Sequence, residues 1–143
     1  MNEGSYMTQA AKDACEEINK NAAERQSELN REIEFTNAWN GVQKEFHELM
    51  VSKGFWEGGI EARNIGEMCM LMVTELAEAF EGYRRHNKPD EHCPEFSSLE
   101  VELADVIYRI MDMAGGMGLR IPEALFAKHQ YNKTRPYKHG KSC

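Results

Sequence analysis

Two short acidic repeats hold the residues with the clearest chemical potential, Glu75-Leu-Ala-Glu78 and Glu102-Leu-Ala-Asp105. Carboxylates three residues apart lie one turn apart on the same face of an α-helix. Two such helices packed together would converge four carboxylates on a small volume. Four like charges at close range repel one another unless a cation sits among them. An all-oxygen donor set suits a hard divalent ion such as Mg²⁺, with Mn²⁺ as the alternative. No histidine follows a Glu at the third position, so the Glu-x-x-His ligand pair of di-iron bundles is absent and hard-ion chemistry is favoured.

Stepping outward, the helices that must carry these acids can be read from periodicity. A helix over about 65–85 is apolar around most of its circumference, with Met68, Met70, Leu71, Met72, Val73, Leu76, Ala77, Ala79 and Phe80. Its polar residues Glu67, Thr74, Glu75, Glu78 and Glu81 fall within an arc of roughly 120°, interrupted by Leu71. A second helix, capped by Ser97 or Ser98, is expected to stop at Gly115-Gly116. On it Glu102, Asp105, Arg109 and Asp112 lie within about 80°, and apolar residues take most of the rest. A narrow polar stripe on an otherwise apolar helix predicts a buried helix lining a polar cleft. The other reading is a buried ion network in which the acids pair with Arg109, Arg84 and Arg85.

Around this pair the chain reads as helices joined by loops. Residues 1–34 are charged and poor in large hydrophobes, which predicts a helical arm over about 10–34 or a partly disordered extension. Its role is either an oligomer contact or a solvated end. Phe35, Trp39, Val42, Phe46 and Met50 then follow helical spacing, and Lys53-Gly54 closes that helix. Trp39 and Trp56 serve either as core or as a platform for a nucleobase. Arg85–Pro94 holds two prolines and reads as a loop; Pro122 opens a last helix and Pro136 ends it.

Composition narrows the class. The chain has 143 residues, 41% hydrophobic and 29% charged, enough for one domain with a core but not for two. No apolar run approaches the roughly 20 residues of a membrane span, and the polar first ten residues show no signal-peptide core. Cys15, Cys69, Cys93 and Cys143 are scattered without a CxxC pair, which predicts neither a disulfide framework nor a zinc site and places the chain in a reducing cytoplasm. Residues 1–127 carry 12 Lys/Arg against 24 Asp/Glu, a net −12, whereas the segment from Lys128 onward has five Lys/Arg and no acid. An acidic body argues against stable nucleic-acid binding. The basic tail either solubilises the end or supplies donors to phosphate oxygens.

The runs TELAEAFEGYRR, ELADVIYRIMDMAGGMG and KHQYNKTRPYKHG together resemble the MazG-like branch of the all-α NTP pyrophosphohydrolases, over about residues 35–140. The resemblance implies an all-α bundle of four to five helices completed by oligomerisation, as a homodimer or homotetramer, with residues 1–34 outside it. It implies Mg²⁺-dependent hydrolysis of NTP or dNTP to the monophosphate and pyrophosphate, of the kind that sanitises nucleotide pools. Glu75, Glu78, Glu102 and Asp105 match the metal and catalytic acids of the motif written EExxE then ExxD. Thr74 stands where the first acid belongs, or Met72 does in an alternative register. Lys128, Asn132 and Arg135 match the phosphate-contacting segment, with Trp39 or Trp56 left to stack on the base. Two other readings remain open: a phosphoribosyl-ATP pyrophosphatase-like hydrolase, and a non-catalytic helical interaction module.

Overall fold

The computed structural model describes residues 8–140, except for the side chain of His139. They form four α-helices: α1 (Gln9–Ser52), α2 (Ile65–Arg84), α3 (Ser98–Met117) and α4 (Ile121–Lys133). Short 3₁₀ turns occur at Ile60–Ala62 and Tyr137–Gly140. The described residues contain no strand; an isolated bridge joins Pro89 to Ser97. The all-α class expected from the periodicity is therefore observed.

The two N-terminal helices expected on either side of residue 34 are one helix of 44 residues. No proline or capping residue interrupts it, and the internal Gly41 has open space around it. The chain divides into two compact units between Ala38 and Trp39. In the first unit Ile18, Leu29 and Ile33 are about half exposed, and i,i+4 pairs such as Lys20–Glu24 (4.0 Å) and Gln26–Asn30 (2.9 Å) line the helix.

In the second unit α2 and α3 make the most extensive helix–helix contact. Asn64 caps α2 by accepting from the Glu67 amide. Ser97 caps α3 in a reciprocal box with Glu100, whose carboxyl is held below its usual range by the Ser97 hydroxyl and amide. Near this junction Gly82 of α2 comes so close that an added Cβ would lie 2.6 Å from Ser98 Oγ.

α3 does not stop at Gly115-Gly116. It runs to Met117 and ends at Gly118 in the left-handed conformation (φ 65°). The two glycines lie inside the helix, at points where large side chains approach its backbone closely. A Cβ on Gly115 would sit 2.7 Å from His47 Cβ, and one on Gly116 would sit 2.0 Å from the Trp56 ring. Asp112, one turn earlier, accepts from Trp56 Nε1 (2.8 Å) and pairs with His47 Nδ1 (2.9 Å). Phe46 of α1 stacks on Tyr108 of α3 with ring centroids 4.2 Å apart. The glycines and Asp112 thus dock the end of α1 and the following loop onto α3.

The expectation that α2 is buried nearly all round is corrected. Only Met68, Glu75, Ala79 and Gly82 are buried on it. Met70, Val73, Leu76, Phe80 and Tyr83 are 48–64% exposed, and on α3 Leu103 and Ile107 are exposed too. Within this unit α3 is the only helix packed extensively on α2, so one chain covers one face of it.

Gly116→Ala should cost about 1–3 kcal/mol or more, because the ring it meets is buried and cannot swing away. Gly41→Ala should instead add about 0.5–1 kcal/mol through helix propensity alone. Urea unfolding of both variants checks the pair; equal effects would contradict the packing described for Gly116.

Candidate functional site

Helical spacing and the α2–α3 contact together bring the acidic repeats to one place. Glu75, Glu78 and Glu102 each offer a carboxylate oxygen, and these three atoms lie within 4.8 Å of one another. Asp105, one turn beyond Glu102, is more exposed and lies outside this closest group, but lines the same cleft. The cleft has a volume of about 760 Å³ and is walled by α2, the start of α3 and the loop between them.

The acids differ in environment. Glu75 is only 6% exposed, and its Oε1 receives both Nε and a terminal nitrogen of Arg109. The ion-pair reading of the sequence is thus realised at Glu75, on one of its two oxygens. Glu81 takes Arg85 at 2.8 Å and Arg84 at 3.5 Å. Glu102 has no such partner. Desolvation first, then the charges of Glu78, Asp105 and Glu75, push its carboxyl above the usual range. Desolvation and then Glu75 push Asp105 up too, with Arg109 opposing. Three carboxylate oxygens this close are a donor set that fits a hard divalent cation.

The polar stripe of α3 is split between two tasks. Glu102 and Asp105 face the cleft and Arg109 holds Glu75, whereas Asp112 belongs to the packing against Trp56 and His47. Trp56 is 8% exposed, edge-on to His47 and beneath the Arg63 guanidinium, so its ring is core and does not line the cleft. Trp39 is half-buried, with its indole N–H donating to Gln43 at 2.9 Å, and it too is not a cleft residue. Lys128, Asn132 and Arg135 do not line the cleft either. Lys128 and Arg135 instead sit over the Tyr131 ring at 4.9 and 6.0 Å, on and just after α4.

The cations that do line the cleft are Arg85 and Lys88, with His92 beside them. They come from a segment whose sequence reads only as loop. Its structure is nevertheless well tied. His86 and Asn87 have positive φ (71° and 47°), the Asn87 amide donates to the Gly82 carbonyl, and Asn87 Oδ1 accepts from the Leu99 amide. The Ser98 amide donates to the Lys88 carbonyl (2.9 Å), and Asp90 accepts from the His92 and Cys93 amides, which hold its carboxyl below the usual range. The available sequence signal was the Asn-Lys-Pro-Asp turn directly after an acidic helix.

Comparison of the chain with protein-family models, curated proteins and solved structures gives no match in any of the three.

The raised carboxyls have a thermodynamic consequence. A group that binds its proton more tightly when folded stabilises the fold below its unfolded value, near 4.5 for Glu102, and that stability is lost as pH rises through the folded value. Without divalent ions, Glu102→Gln should therefore be more stable than wild type at neutral pH, with the difference closing toward about pH 4. Excess Mg²⁺ should raise the wild-type melting temperature at neutral pH and have much less effect on Glu102→Gln. Thermal melts across pH with and without Mg²⁺ check both signs.

Proposed function

We propose that the chain is a Mg²⁺-dependent nucleoside triphosphate pyrophosphohydrolase of the MazG-like, all-α kind, acting on NTP or dNTP in the cytoplasm to clear unwanted nucleotides. The observation that carries this reading is the convergence of Glu75, Glu78 and Glu102 within 4.8 Å on the wall of a cleft that also presents Arg85 and Lys88. Its volume of about 760 Å³ is in the range of small-ligand sites. The resemblance of TELAEAFEGYRR and ELADVIYRIMDMAGGMG to the pattern of that family supports it.

In this reading Glu75, Glu78 and Glu102 hold the ion, with Asp105 beside them. When bound, Mg²⁺ neutralises phosphate oxygens and makes water more acidic. Arg109 fixes the Glu75 carboxylate, so that one arm of the site is set before substrate arrives. One carboxylate of the cleft, with Asp105 beside the ion-holding three, would take the proton of the attacking water. The water oxygen bonds to the α-phosphorus as the bond to the bridging oxygen breaks, and pyrophosphate leaves. Trp56 is enclosed and Trp39 does not line its own chain's cleft, so neither stacks on the base within one chain.

Oligomerisation belongs to the same proposal. The exposed stripe of Met70, Val73, Leu76, Phe80 and Tyr83 along α2 is what a second copy would cover. In that assembly Lys128, Asn132 and Arg135 would serve a neighbour's cleft, because they do not line their own. Light scattering at micromolar concentration should report a dimer or tetramer, and Leu76→Lys should shift it toward monomer; a wild-type monomer would overturn this part.

The Arg109–Glu75 and Arg85–Glu81 pairs favour a second reading, a non-catalytic helical module with ion-paired seams. Pyrophosphate release from a panel of NTPs, dNTPs and phosphoribosyl-ATP separates these readings. Hydrolysis should require Mg²⁺ and fall roughly a hundredfold or more in Glu102→Gln. No activity on any substrate, or an unaffected variant, leaves the interaction module; activity confined to phosphoribosyl-ATP selects the histidine-pathway type of reaction.

A further inference from the structure

We infer that Lys88, on the loop between α2 and α3, is the residue that takes the outgoing phosphates of the substrate in the same chain's cleft. The inference rests on the hydrolase reading for its substrate, but its own support is independent of the acidic repeats.

A triphosphate carries more negative charge than one divalent ion cancels, so a cleft with an acidic wall needs further cations to admit it. Among the described residues only two Lys/Arg side chains line this cleft. Arg85 is engaged, with its Nε on Glu81 Oε1 at 2.8 Å. Lys88 makes no side-chain hydrogen bond or ion pair with any described residue.

Its backbone, by contrast, is anchored. The Lys88 carbonyl accepts from the Ser98 amide, Pro89 follows with its fixed φ, and Asn87 is tied to Leu99. A flexible four-carbon stem on a fixed base delivers a point charge with three donors, which suits phosphate oxygens that shift as a bond breaks. Asp90 lines the cleft nearby, but its Oδ1 is already occupied by the His92 and Cys93 amides. Glu91 is the other acid of this loop that lines the cleft. The opposing possibility is that Lys88 only offsets the acids of its own cleft, and the test is arranged to separate the two.

Lys88→Ala and Lys88→Arg should both fold, since the side chain supports nothing and only the backbone is used. Calorimetric titration with inorganic pyrophosphate in excess Mg²⁺ should show binding to wild type that is weakened roughly tenfold to hundredfold in Lys88→Ala and largely restored in Lys88→Arg. Nucleoside monophosphate binding should change less than threefold. For a hydrolysed nucleotide, KM should rise alongside. If wild type hydrolyses nucleotides and Lys88→Ala matches it in KM and pyrophosphate affinity, the inference is overturned while the hydrolase reading stands. If no nucleotide is hydrolysed but pyrophosphate binding still depends on Lys88, the hydrolase reading fails and the contact stands. Equal loss of monophosphate and pyrophosphate binding would mean a general charge effect of the cleft and would also overturn the inference.

Discussion

Like charge held at close range is the constraint around which the rest of this structure is arranged. Two carboxylates about 5 Å apart repel by roughly 3 kcal/mol at the effective dielectric of a protein surface, and Glu75, Glu78 and Glu102 hold three such oxygens within 4.8 Å. Something must offset this in the free protein. Part of the answer is the Arg109 guanidinium on Glu75, and burial with the neighbouring carboxylates raises the proton affinity of Glu102 and Asp105. The remainder comes from the α2–α3 contact itself; the buried apolar residues of these two helices include Met68, Ala79, Met111 and Ala114. A divalent cation among these carboxylates would offset the same repulsion, so the fold and the proposed cofactor bear on the same three side chains.

How far the sequence disclosed this depends on the range of each interaction. The acids were legible because i,i+3 spacing on a helix fixes which side chains share a face, and the stripe on α3 is narrow. The end of α3 was misread for an equally local reason: Gly115-Gly116 has the composition of a stop. The helix runs on to a left-handed cap at Gly118, and the glycines instead allow the close approach of His47 and Trp56, residues separated from Asp112 by 65 and 56 positions. No periodicity reports a partner at that distance. The burial expected for α2 failed differently. Its apolar circumference was read correctly, but the number of helices available to cover it is a property of the fold, and a single chain supplies one.

The same distinction explains the division of labour along the α3 stripe. Four polar residues on one face look equivalent by angle, but they are spread along the helix axis. The end near the Ser97 cap faces the cleft, and the end near Gly118 faces the end of α1 and the loop that follows it. Glu102 and Asp105 thus line the cleft, Arg109 spends its charge on Glu75, and Asp112 becomes an acceptor for Trp56 and His47. Angle on the helix sorted polar from apolar; position along it sorted chemistry from packing.

The loop between α2 and α3 shows where a short connection acquires a functional burden. Antiparallel neighbours need only a turn, yet this connection is long enough to fold back and lay Arg85, Lys88 and Asp90 along the acids. Its conformation is specified by local chemistry: positive φ at His86 and Asn87, the Asn87 bond to Leu99, and the amide turn over Asp90. Because these bonds tie the loop to the first residues of α3, the cationic rim and the Glu102 wall share one anchor. A change that loosens Ser97–Leu99 would disturb both sides of the cleft together, whereas a change in the Lys88 side chain alters charge alone. That separation of scaffold from charge is what lets phosphate binding be tested apart from the integrity of the acidic cluster.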